Sequence, residues 1–159
     1  MSKVKIKTSR QKIANILLSI GCVNINFKNK FTLTSGKKSP VYVDCRKLVS
    51  FPNEREVIIN EMTKQIKEIY KDEIIVAGGE TAGIPYSSFV SQNLKLPMIY
   101  IRKQPKGFGR GKLIEGEFKK KSKSILIEDM ATDGGSKLHF INSMRKSHLS
   151  VKDIFVVFF

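Results

Sequence analysis

Histidine and cysteine are scarce: the 159 residues hold two of each. Cys22 and Cys45 show no metal-ligand spacing, which favours reduced thiols of a cytosolic protein over a structural disulfide. His139 lies in a helical stretch of mixed face and His148 near a turn, and neither has a partner at catalytic spacing. No Ser/His/Asp or Cys/His nucleophile arrangement can therefore be assembled. No apolar run is long enough to span a bilayer. The basic start "MSKVKIKTSRQK" leads into more polar sequence, where a signal peptide would need an apolar stretch. The expectation is a cytoplasmic protein with no membrane contact. No internal repeat or low-complexity tract is present.

Acids are also few. Fourteen Asp and Glu face 29 Lys and Arg, a formal net charge of +15. Such a balance attracts polyanions. The lysines are nevertheless scattered through every segment, with no aromatic-interleaved stripe of the kind that binds nucleic acid. The charge reads as compositional, with local use of some of it for a small polyanionic ligand. Hydrophobic residues make up 41%, which suits one globular domain with a true core.

The apolar pattern defines the elements. "SRQKIANILLSIG" places Ile13, Ile16, Leu17 and Ile20 on one helical face, with Ser9 as N-cap and Gly21 as stop. "NINFKNKFTLTSGKKSPVYVDCRKLV" reads as short strands broken by Ser-Gly and Ser-Pro turns. "NEREVIINEMTKQIKEIYK" is an amphipathic helix opened by Pro52 and Asn53. The strands "EIIVAGG", "PMIYIRK", "SILIEDM" and "VKDIFVVFF" then alternate with the helices "IPYSSFVSQNLK" and "SKLHFINSMRK". Strands apolar on both faces and separated by helices indicate a parallel sheet covered on both sides. The fold class is α/β, a single domain over 1–159. Residues 1–50 form an N-terminal helix and a small β-rich hood, and 51–159 form the α/β core. A Gly- and Lys-rich connection, about 103–117, is too long for an ordinary loop and reads as a lid.

Ligands of open parallel sheets bind beyond the carboxyl ends of the strands. Three segments fall there: "GGETAGIP", "RKQPKGFGRGK" and "EDMATDGGS". In the last, a Gly-rich turn enters a helix, so backbone N–H groups and the helix end make a phosphate cradle, with Thr132 and Ser136 hydroxyls as further donors. The turn is neither a Walker A loop nor a GxGxxG fingerprint. Glu128 and Asp129 precede it. An adjacent carboxylate pair can hold a ribose cis-diol, stabilise positive charge developing on a sugar ring, cap a solvated turn, or meet a metal; acids without His suit Mg²⁺. Gly78, Gly79 and Gly83 allow close backbone approach to a ligand, or form an ordinary strand-to-helix turn. Arg102, Lys103 and Lys106 can neutralise a pyrophosphate as the lid closes.

"ILIEDMATDGGS" resembles the phosphoribosyl pyrophosphate (PRPP) motif of the type I phosphoribosyltransferases. "FTLTSGKKSPVYVDCRKLVSFP", "AGGETAGIP" and "YIRKQPKGFGRGKLIEGE" resemble the orotate phosphoribosyltransferases in particular. The motif also occurs in regulators that kept the fold and lost the reaction.

The resemblance implies transfer of phosphoribose from PRPP to orotate, giving orotidine 5′-monophosphate and pyrophosphate in pyrimidine synthesis, with Mg²⁺ carried by PRPP and Asp129 as its protein contact. It implies that Glu128, Asp129, Met130, Ala131, Thr132, Asp133, Gly134, Gly135 and Ser136 bind PRPP, the last five holding the 5′-phosphate. Gly79, Glu80, Thr81, Ala82 and Gly83 form the pyrophosphate loop, with a cis peptide near Glu80–Thr81. Arg102, Lys103 and Lys106 reach pyrophosphate, some of them across a homodimer interface, and Lys103, Lys106 and Asp129 serve catalysis. Orotate falls to Thr132 with Lys38, Tyr42 and Val43. Alternatives on the same fold are a phosphoribosyltransferase for another base and a PRPP-sensing or nucleic-acid-binding regulator.

Three departures stand out. Phe108 replaces a lid His that many members have, and Thr34 stands where some have Lys. The resemblance also stops at "VVFF", before the C-terminal part in which many members carry an Arg that reads the orotate carboxylate. This leaves a fragment, or a site whose last part is missing or replaced.

Overall fold

A computed structural model describes residues 2–33, 35–105, 112–132 and 135–159. Thr34, Lys106, Phe108, Asp133 and Gly134, named above, lie outside the described residues. The chain divides into two compact units, Met1–Ile58 and Ile59–Phe159.

In the first unit, helix α1 runs Ser2–Ser19. It starts earlier than the N-cap reading of Ser9, which sits in its interior. The Lys-rich start carries good helix formers, and a single serine costs a helix little. Gly21 ends it with φ +69°, and the Cys22 N–H reaches back to the Leu17 carbonyl at 2.8 Å. This is the left-handed closure that glycine accepts most readily. Strands β1 (Val23–Ile25) and β4 (Val41–Val43) pair antiparallel, as do β2 (Phe31–Thr32) and β3 (Lys38–Ser39). Cys45–Ser50, inside the stretch read as strands, forms a 3-10 helix that buries Cys45 and Leu48. Helix α2 (Pro52–Ile69) begins with Pro52 at its first position, where a missing N–H costs nothing.

The second unit holds a five-stranded sheet in the order β7-β6-β5-β8-β9. Strands β5 (Ile75–Gly79), β6 (Met98–Ile101), β8 (Lys123–Met130) and β9 (Ser150–Phe158) run parallel. Between β6 and β8, the two-residue β7 (Ile114–Glu115) pairs antiparallel with β6 along the outer edge. Helix α3 (Gly83–Leu94) links β5 to β6, and α4 (Gly135–Lys146) links β8 to β9. The core on one face gathers Ala77, Ile99, Ile101 and Leu126 of the strands with Phe140, Ile141 and Met144 of α4. From β5 the chain moves to β6 on one side, and from β8 to β9 on the other. The strand order therefore reverses between β5 and β8. This is the switch point at which open α/β sheets leave a crevice.

Candidate active site

The crevice is built around Glu128. Strand β8 is buried over Ser124–Asp129, so both acids lie inside the sheet's end, Glu128 at 3% exposure and Asp129 at 7%. Parallel pairing sets Gly78 beside Ile127, which brings Gly79 of β5 level with Glu128. A Cβ on Gly79 would stand 2.1 Å from Glu128 Oε1, and one on Gly83 would stand 2.4 Å from the same atom. Two glycines thus hollow a notch that the Glu128 carboxylate occupies, with the Phe140 ring beside it at Gly79. Their sequence role, close backbone approach, is met here by a side chain of the protein itself.

Within the notch, Glu128 Oε1 is buried and has no hydrogen-bond partner among the described residues. Oε2 is paired with Lys137 Nζ at 3.3 Å. Burial pushes the Glu128 carboxyl up to about 7. The neighbouring Asp129 adds to that rise, while Lys137 and the Gly79 amide oppose it. Asp129 folds one oxygen back, Oδ1 accepting the Met130 N–H at 2.8 Å.

The β5–α3 turn carries the predicted loop residues Gly79, Glu80, Thr81, Ala82 and Gly83. The Glu80–Thr81 peptide is cis, at the position the resemblance implied. The Glu80 N–H donates to the Ile101 carbonyl at 2.8 Å, and its carboxylate accepts the Lys103 N–H at 2.8 Å. The loop after β5 is thereby tied to the segment that follows β6. At the start of that segment, the Arg102 N–H donates to the Leu113 carbonyl at 2.8 Å. Lys103 is exposed and Arg102 half-buried.

After β8, the Ala131 N–H is held by the Phe158 carbonyl of β9 at 3.0 Å, and Thr132 is exposed. Gly135 and Ser136 open α4 and are exposed in its first turn. Of the orotate candidates, Thr132 belongs to the second unit and the other three to the first, where Lys38 donates to Thr32 Oγ1 at 2.6 Å and Tyr42 and Val43 are half-buried beside each other on β4. The Tyr42 ring packs on Phe31 with centroids 5.6 Å apart.

The sequence reading missed Lys137. Its one visible signal was a lysine in a helix's first turn, where the positive helix end disfavours a cation.

A mostly parallel sheet with this order, an acid pair at the end of β8 and a glycine-bearing turn into the following helix define a type I phosphoribosyltransferase fold. No family model matches the chain. The orotate phosphoribosyltransferase of Ruegeria sp. is 44% identical over 148 residues, which are 92% of this chain and 66% of the relative. The chain thus spans just under two thirds of the length of that relative. The solved orotate phosphoribosyltransferase of Aeropyrum pernix superposes with a TM-score of 0.77 at 27% identity, over 91% of this chain and 79% of that one. Leishmania donovani UMP synthase gives a TM-score of 0.75 at 32% identity, over 91% of this chain and 30% of that one. By this homology the chain belongs to the orotate phosphoribosyltransferase family.

Proposed function

We propose that this chain carries the PRPP site of an orotate phosphoribosyltransferase, which transfers phosphoribose from PRPP to orotate and releases pyrophosphate. The observation that carries this reading is the Glu128 carboxylate, buried at the switch point with one oxygen unpartnered among the described residues, between the turn after β5 and the helix that opens after β8. A buried acceptor lacking a donor favours a hydroxyl-bearing ligand, and a ribose diol supplies that.

In this reading the amides and hydroxyls of Thr132–Ser136 bind the 5′-phosphate. Glu128 and Asp129 hold the ribose hydroxyls and stabilise the positive charge that develops on the sugar as the bond to pyrophosphate breaks. The pyrophosphate lies against the Gly79–Gly83 turn, where Arg102, Lys103 and Lys106 offset its charge. Closure of the lid keeps out water that would otherwise take the sugar.

Hard carboxylate oxygens without nitrogen or sulfur donors suit Mg²⁺. Among the described residues no three His, Cys, Asp or Glu side chains gather that could hold a metal ion. Asp129 is the carboxylate that would meet Mg²⁺ carried on PRPP, and the ion would offset charge on the leaving pyrophosphate. Orotate recognition by Thr132, Lys38, Tyr42 and Val43 belongs to the same proposal, as does a homodimer that shares the basic lid residues. A cytoplasmic setting is supported by two buried free thiols. Among the described residues no helix is long and apolar enough to cross a membrane.

Mixing the chain with PRPP, Mg²⁺ and orotate tests the reading. Orotate consumption matched by pyrophosphate release supports it. PRPP bound with no orotate turned over at any Mg²⁺ concentration would remove the activity from this chain.

A further inference from the structure

The ammonium of Lys137 stands between two parts of the proposed site. Its Nζ is 3.3 Å from Glu128 Oε2 and 3.3 Å from Ser136 Oγ, the hydroxyl in the first turn of α4. Its side chain is 14% exposed, so the charge is largely withdrawn from solvent. Lys137 also lines a cleft of about 320 Å³ with Ala131 and Thr132 of the turn after β8 and the apolar Leu138, Ile141, Ile154 and Phe159.

Several costs meet at this lysine. Withdrawing an ammonium from water is unfavourable without strong partners. A cation in a helix's first turn is opposed by the helix dipole. Among the described residues, one carboxylate oxygen at 3.3 Å and a neutral hydroxyl leave part of the ammonium's three-donor capacity unused. A phosphate oxygen beside Ser136 would complete that set. The same ammonium would offset the negative charge of Glu128 and Asp129, which otherwise repels an anion entering beside them.

We infer that Lys137 is a phosphate-binding residue of this site, its ammonium shared between the acid that faces the ribose and the 5′-phosphate at the start of α4. The inference rests on reading the turn after β8 as the phosphate cradle. It adds a charged ligand to a loop that otherwise binds through amides and hydroxyls. It also predicts unequal effects on the two ends of PRPP. Lys137 serves the 5′-phosphate, whereas pyrophosphate lies with the turn after β5 and the lid.

The test uses two probes on the wild-type chain and on Lys137→Gln, whose amide still donates to Glu128. The probes are ribose 5-phosphate and pyrophosphate with Mg²⁺. Loss of a charged contact predicts that Lys137→Gln binds ribose 5-phosphate about tenfold or more weakly, with pyrophosphate affinity unchanged. Lys137→Arg recovers most of the loss. An equal loss for both probes means a merely structural lysine and overturns the inference, as does no loss at all. A second measurement needs no variant: the NMR signal of the wild-type Lys137 ammonium shifts on adding ribose 5-phosphate and not on adding pyrophosphate. An unmoved signal overturns the assignment. Failure of the wild-type chain to bind either probe overturns the proposed function and this inference with it.

Discussion

Replacing Gly79 by alanine strikes the crevice at its tightest point. The added methyl would lie 2.1 Å from Glu128 Oε1 and 2.2 and 2.4 Å from Cε2 and Cδ2 of Phe140. Carbon atoms settle at about 3.5–4.0 Å, so the ring must retreat by roughly 1.5 Å. Phe140 is 2% exposed and packed in the core beneath α4, where it has little room to move. Overpacking of this kind costs about 1–3 kcal/mol, and two clashes at one methyl put this site at the upper end, about 3 kcal/mol. For a chain of this size each kcal/mol lowers Tm by roughly 2–4 °C. Gly79→Ala should therefore melt about 6–12 °C below wild type and lose PRPP binding. Phe140→Leu in the Gly79→Ala background should recover part of the loss, although alone it destabilises. Thermal melts of the four proteins, read as a double-mutant cycle, give the coupling. A Gly79→Ala melt within the error of wild type, or strictly additive losses, would refute the packing of Glu128 and Phe140 against Gly79.

The raised Glu128 carboxyl predicts a stability slope in the absence of ligand and Mg²⁺. The ordinary value is 4.5 and the folded one about 7. Between these the folded chain keeps a proton that the unfolded chain has released, so this contribution is full below about pH 4.5 and is lost as pH rises through about 7. Urea melts across that window should show Glu128→Gln losing on the order of 2–3 kcal/mol less than wild type between the two pH limits; parallel curves would contradict the buried carboxyl. Glu80→Ala removes the acceptor of the Lys103 N–H, so hydrogen exchange at that amide should quicken about tenfold, with Glu80→Gln close to wild type. Unchanged exchange in Glu80→Ala would mean that the carboxylate does not hold the Lys103 amide.

Much of the second unit was legible in the sequence because its inner strands, β5 and β8, are buried on both faces. Ile75–Gly79 and Ser124–Asp129 are buried throughout, and unbroken apolar runs of that length bounded by Gly-rich turns read plainly as parallel strands. The acid pair was legible as well, since two carboxylates ending such a run need a reason. The pairing of β7 was not. Ile114 and Glu115 lie in a Gly- and Lys-rich stretch, and a two-residue edge strand is set by its register with Tyr100 and Ile101, which no local pattern encodes. The 3-10 helix at Cys45–Ser50 escaped for a similar reason, because "DCRKLV" suits an extended run until burial of Cys45 and Leu48 selects the turn. Lys137 was hidden by distance along the chain. Nothing in the spacing says that a lysine nine residues after Glu128 returns to its carboxylate, a contact made by the β8–α4 turn.

The central claim, that the crevice between β5 and β8 is a PRPP site serving orotate, is tested most directly by calorimetry of PRPP binding with Mg²⁺, with and without orotate. The account predicts PRPP binding to the wild-type chain, binding strengthened by orotate, and loss of both in Gly79→Ala. PRPP binding indifferent to orotate would move the site to another base. No PRPP binding to the folded wild-type chain would contradict the claim.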